Sequence, residues 1–129
     1  MKAVDTNVLV RVLTGDDALQ TALAAAAIAD GVFVRSGVLI ETEWVLRAIY
    51  GWPRDRIVSG LNRLLAEKGV NPANADRLDW AVDHYAAGAD WADMIHVLDA
   101  AGNNSFLTFD RSLLKRAGAT SPVPIEQLK

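Results

Sequence analysis

The sequence has no cysteine and only two histidines, His84 and His96, among 129 residues. Without thiols there is no disulfide framework and no thiolate zinc site, and the histidine count argues against an all-histidine metal centre. Any metal is therefore expected to be held by oxygen. No apolar run approaches the roughly 18 residues that span a bilayer. The opening MKAVDTN also lacks the charged, apolar and small segments of a signal peptide. The expectation is a cytoplasmic protein with no membrane segment. Basic excess is missing too: 13 Lys and Arg against 16 Asp and Glu give a net charge of −3. Coating nucleic acid by bulk electrostatics needs many cationic phosphate contacts, so that mode is excluded.

What is present is a chain apolar enough to bury a core, at 51% hydrophobic content, and of a length suited to a single domain over residues 1–129. No repeat, low-complexity tract or linker interrupts it. Lys2 to Asp5 reads as a short strand, followed by a helix capped by Thr6 or Asn7 and ended by Gly15. A second helix starts at Asp16 or Asp17, crosses the alanine-rich LQTALAAAAIA and stops at Gly31, before a strand at Val32-Phe33-Val34. Ser36 or Gly37 opens a helix to about Tyr50. Pro53 opens another, with an apolar stripe of Ile57, Leu61, Leu64 and Leu65, so residues 37 to 67 form a hairpin. Further helices are expected from Pro72 to about Ala87 and from Asp90 to Ala101. Ser105 to Phe109 reads as a buried strand, Leu113-Leu114 as a short helix, and Pro122 to Ile125 as an edge strand or tail. Strands alternating with helices imply an α/β fold around a mainly parallel sheet.

Four carboxylates stand out: Asp5 in VDTN, Glu41 in VLIETEW, Asp93 in ADWADMIH and Asp110 in LTFD. Asp5 and Asp110 each follow a short apolar segment, and the C-terminal ends of strands are where open α/β sheets build their sites. Acids placed this way can meet in one pocket. Clustered carboxylates repel one another, and a hard divalent cation resolves that conflict by accepting oxygen ligands and lowering the pKa of bound water. The chemistry expected is water attack at a phosphodiester. Arg11, Arg35, Arg47, Arg111, Lys115 and Arg116 lie close in sequence to the acids and suit an anionic substrate.

Each acid also has a plainer reading. Asp5 fits a helix cap, and so does Asp110. Glu41 has Gly37, Val38, Trp44 and Val45 as its helical neighbours, an apolar setting with no cation, where an acid is costly unless compensated. Glu43 has Arg47 four residues on, the spacing of a surface pair, so Glu41 is favoured as the functional residue. Asp90 fits an N-cap, which sets Asp93 in the first helical turn as the better ligand and leaves Asp90 in support. His96, one turn beyond Asp93, suits a structural role more than that of orienting a water or phosphate. Thr6, Asn7, Ser36 and Thr108 are small polar groups near strand ends that orient carboxylates or simply terminate elements. Trp44, Tyr50 and Trp52 on the hairpin are read either as core or as anchors for a protein partner.

The opening VDTNVLVRVLTGDD, the segments VLIETEWVLRAIYG and GADWADMIH, and LTFDR, in this order, resemble the PIN-domain ribonucleases, and specifically the VapC toxins of toxin–antitoxin pairs. The resemblance spans nearly the whole chain. It implies a three-layer α/β/α sandwich and an endoribonuclease dependent on Mg²⁺ or Mn²⁺. Its acidic quartet falls on Asp5, Glu41, Asp93 and Asp110, with Thr6, Asn7 and Thr108 alongside. It further implies RNA as substrate, a cognate VapB-like antitoxin as partner, and a homodimer. Two other classes stay open. One is an aspartate-dependent phosphoryl-transfer enzyme using Asp5, which the Asn7 two residues later disfavours. The other is a non-catalytic α/β binding module.

Overall fold

A computed structural model describes all residues from Met1 to Lys129. The chain divides into two compact units, Met1–Ala75 and Asp76–Lys129.

The first unit opens with strand β1 (Lys2–Ala3), helix α1 (Thr6–Thr14), helix α2 (Ala18–Ala29) and strand β2 (Val32–Val34), the expected β-α-α-β order. Gly15 ends α1 in a left-handed conformation at φ 65°, which a glycine adopts without the clash a Cβ would bring. The Asp17 carboxylate accepts from the Gln20 amide at 2.9 Å and starts α2. The hairpin follows as α3 (Ser36–Ala48) and α4 (Arg54–Ala66), and strand β3 (Val70–Pro72) closes the unit. The order β1-β2-β3 is parallel throughout, with Lys2 opposite Val32 and Val32 opposite Val70. Parallel neighbours need a crossover, and a helix pair supplies each one here. Leu9, Leu13, Val34, Leu39, Leu46, Ile57 and Leu61 are buried and form the core.

β3 departs from the expectation that residues from Pro72 onward are helical. Its sequence VNP carries almost no strand signal, and proline belongs in a sheet only where its missing N–H is not needed. The end of the order β1-β2-β3 meets that condition. Gly69 makes the pairing possible: a Cβ there would stand 1.8 Å from the Ile28 carbonyl oxygen, so only glycine fits beside this backbone.

The second unit starts in a short 3-10 turn (Ala75–Arg77) and continues as α5 (Leu78–Ala86), α6 (Trp91–Asp99), strand β4 (Phe106–Thr108), α7 (Arg111–Ala117) and strand β5 (Ile125–Gln127). β4 and β5 pair in parallel, with Phe106 opposite Ile125. Tyr85 and Trp91 meet edge to face, with ring centroids 5.5 Å apart, in a core shared with Val82, Met94, Ile95 and Leu98. β4 is not the buried strand its apolar letters suggest. Leu107 is 55% exposed, because in a pair of strands only alternate residues are covered.

The α/β class with parallel strands is thus the one expected. No helix is long and apolar enough to cross a membrane.

Candidate functional site

In the first unit, Asp5 lies two residues beyond the end of β1 and caps α1, accepting from the Val8 amide at 3.4 Å. That distance is long for an N–H···O bond, and the carboxylate is exposed, so the cap occupies little of its capacity. Thr6, the next residue, is buried. Its hydroxyl donates a short hydrogen bond to Oε1 of Glu41. A residue on α1 therefore fixes an acid on α3, and Glu41 is tied to the neighbour of Asp5. Asn7 is exposed and lines, with Asp5, Val8, Arg11 and Leu23, an apolar groove of about 240 Å³ between α1 and α2.

Glu41 is not the covered acid that its apolar helical neighbours suggest, although its bond to Thr6 draws it toward Asp5. Glu41 is exposed, whereas Glu43 is the buried acid, 5% exposed. Glu43 accepts from Arg47 Nε at 2.8 Å, so the supposed surface pair has a buried carboxylate and a half-exposed guanidinium. Helical spacing identified the pair but not the rotation of α3, which turns Leu39, Thr42, Glu43 and Leu46 inward.

The hairpin aromatics also separate. Trp52 is buried, with the Arg56 guanidinium 4.0 Å from its ring centroid. The Tyr50 hydroxyl donates to Asp16 at 2.6 Å and accepts from Arg11 at 3.2 Å. Only Trp44 presents a large apolar surface, at 49% exposure. The Arg11–Asp16–Tyr50 network has no signature in the sequence. Arg11 and Asp16 are five residues apart across a glycine turn, and Tyr50 is reached only through the packing of α3 on α1. These bonds hold the Asp16 carboxyl below its ordinary value, the Tyr50 hydroxyl first among them.

In the second unit, Asp90 caps α6 as expected, its carboxylate accepting from the Asp93 amide at 3.0 Å. Asp93 is half-buried in the first turn. Its carboxyl is held above the ordinary carboxylate value, chiefly by burial and then by the charges of Asp90 and Asp110; His96 and Arg116 pull the other way. Asp110 caps α7, accepting from the Ser112 amide at 2.8 Å and the Ser112 hydroxyl at 2.7 Å, and these bonds lower its pKa. Thr108 Oγ1 accepts from the Asp110 amide at 3.0 Å, so it shapes the turn after β4. His96 is exposed and acts on Asp93 through charge alone.

Within each unit no group of three or more His, Asp or Glu side chains stands close enough to hold a metal ion. The donor chemistry still suits a hard cation, since every candidate ligand is a carboxylate. Around Asp93 the suitability is electrostatic as well. Burial and two neighbouring acids disfavour its ionised form, and a cation would relieve both.

A parallel α/β fold with acids just beyond strand ends places them where such sheets build their sites. Residues 2–119 match the model of the PIN domain, and the chain belongs to that family. Its members are generally metal-dependent nucleases, so this is a nuclease-type, nucleic-acid-binding domain. No curated protein and no solved structure matches the chain significantly.

Proposed function

We propose that the protein is a Mg²⁺- or Mn²⁺-dependent endoribonuclease and the toxin of a VapBC-type toxin–antitoxin pair, acting on RNA in the cytoplasm and inhibiting translation. Asp5, Glu41, Asp93 and Asp110 are its catalytic carboxylates, supported by Thr6, Asn7, Asp90 and Thr108. The two units work as one PIN domain, since the family match runs through both. The observation that supports the reading is the setting of Asp93: it lies half-buried in the first turn of α6, and burial together with the charges of Asp90 and Asp110 raises its carboxyl above the ordinary value.

These carboxylates would hold the metal, which when bound would supply an ionisable water and neutralise charge on the phosphoryl oxygens. The chain's own contributions are positional. The Thr6 hydroxyl fixes the rotamer of Glu41, and Ser112 fixes that of Asp110. The Asp90 cap holds the first turn of α6, and with it the backbone of Asp93.

A VapB-like antitoxin is better served by α2 than by the hairpin aromatics. Leu19 is 71% and Leu23 62% exposed, and Leu23 lines the groove that ends at Asp5. A partner helix laid there would cover apolar surface and bring a basic side chain to the acid. Self-association as a homodimer belongs to the same reading.

The test is incubation of total cellular RNA with antitoxin-free protein in Mn²⁺, Mg²⁺ or EDTA. Cleavage with either metal and none in EDTA is the expected result. Folded protein inert under all three conditions would reject the nuclease and favour a binding module.

A further inference from the structure

One face of α4 carries Arg56, Ser59, Gly60 and Arg63, at the i, i+3, i+4 and i+7 positions that line up along a helix. With Leu13 and Trp52 they line a second cavity of about 250 Å³ in the first unit. Gly60 sits at its floor: a Cβ there would lie 3.4 Å from both Leu13 and Trp52, so this helix face packs tightly on its neighbours while the arginines project outward.

Arg56 and Arg63 are in no ion pair, whereas Arg11 and Arg47 of the same unit are. Arg56 is nevertheless held in place, its Cζ over the Trp52 ring and 4.0 Å from the centroid. Stacking occupies the face of a guanidinium and leaves its edge donors free, and a fixed fork loses less freedom on binding a bidentate anion. The carboxylate of Asp55 is turned to the Arg56 amide, at 2.9 Å. Ser59 adds a hydroxyl between the arginines. On a chain of net charge −3, α4 carries Arg54, Arg56 and Arg63 against Asp55 alone.

We propose that Arg56, Ser59 and Arg63 form a phosphate-binding subsite for the sugar–phosphate backbone of the RNA substrate. This rests on the nuclease reading and names residues that hold the strand away from the acids. Leu13, in the cavity, lies eight residues along α1 from Asp5, about 12 Å at 1.5 Å per residue. A strand held at both places would span several nucleotides. Backbone contacts of this kind position nucleic acid without reading its sequence.

The experiment measures binding of a labelled single-stranded RNA in EDTA over a series of salt concentrations, using the full chain. Each phosphate contact on a single strand contributes about 0.7 to the slope of log affinity against log salt. R56Q/R63Q is expected to lower that slope by about 1.4 and weaken binding alike for unrelated sequences. A control with two cations removed elsewhere, K68Q/R77Q, is expected to leave the slope unchanged. In metal, R56Q/R63Q is expected to raise KM and leave kcat unaltered. Circular dichroism confirms that both variants fold. An unchanged slope in folded R56Q/R63Q would overturn the subsite and leave the nuclease reading standing. So would loss of binding to a mononucleotide without any change in the RNA slope, which would mark a site for free nucleotide. If the wild type cleaves no RNA but shows the expected slopes, the nuclease reading fails and the subsite survives.

Discussion

In Met1–Ala75 the candidate acids are steadied by groups that donate to them, whereas in Asp76–Lys129 the most buried one is set against its own kind. Glu41 receives the Thr6 hydroxyl, and Asp5 receives a helix amide. Asp93 has Asp90 and Asp110 nearby, and burial and then their charges hold its carboxyl above the ordinary value. Donated hydrogen bonds orient a carboxylate, whereas burial beside other carboxylates disfavours its charge. The first arrangement orients. The second creates a demand for positive charge.

The largest expected effect comes from removing an acid outright. E41Q should lower RNA cleavage by about 10²-fold or more, since several kcal/mol of transition-state stabilisation depend on the metal it would help hold. Its melting temperature should barely move, because Glu41 is exposed. Next is the residue that orients it. T6V keeps the volume of Thr6 but deletes the donated hydrogen bond, and is expected to cost 10- to 100-fold in activity or metal affinity, with a stability loss of about 1 kcal/mol. Cleavage rates and thermal denaturation on the same preparations separate these outcomes. Unchanged cleavage in T6V would remove the orienting role.

E43A sharpens the contrast within α3. Truncating the buried acid is expected to destabilise the fold by about 1–3 kcal/mol while the remaining folded protein still cleaves. Loss of cleavage at full stability would transfer the catalytic role from Glu41 to Glu43. The smallest effect concerns Asp93. Its folded-state pKa is raised, so ionising it costs stability as pH climbs above the ordinary value of 3.8. Metal-free D93N should therefore melt higher than wild type at pH 7, and the difference should disappear as pH falls below that value. Saturating Mn²⁺ should reverse the order, because binding at a hundredfold excess over Kd stabilises by about 2.7 kcal/mol and the variant forfeits part of that gain. Equal Mn²⁺-induced shifts in the two proteins would count against Asp93 as a ligand.

Much of this was legible in the sequence, for identifiable reasons. Caps and glycine stops are local, so α2, α6 and α7 begin at Asp17, Asp90 and Asp110, acids whose capping chemistry is written in the letters around them; α1 is capped by Asp5, its plainer reading, and not by Thr6 or Asn7. The acids stood out because two of them follow apolar segments. What was not legible depends on the third dimension. β3 exists because β2 offers it an edge, which VNP alone does not advertise. The burial of Glu43 and the exposure of Glu41 follow from the rotation of α3 against α1 and α4, and the Thr6 bond spans 35 residues.

The proposed nuclease depends on Asp5 and on Asp93 alike. The direct measurement is the single-turnover rate of RNA cleavage in Mn²⁺ for D5N and D93N beside the wild type, each variant verified as folded. Loss of about 10²-fold or more in both is expected. Cleavage at the wild-type rate in either variant would contradict the claim, because one unit's acids would then be dispensable to the chemistry.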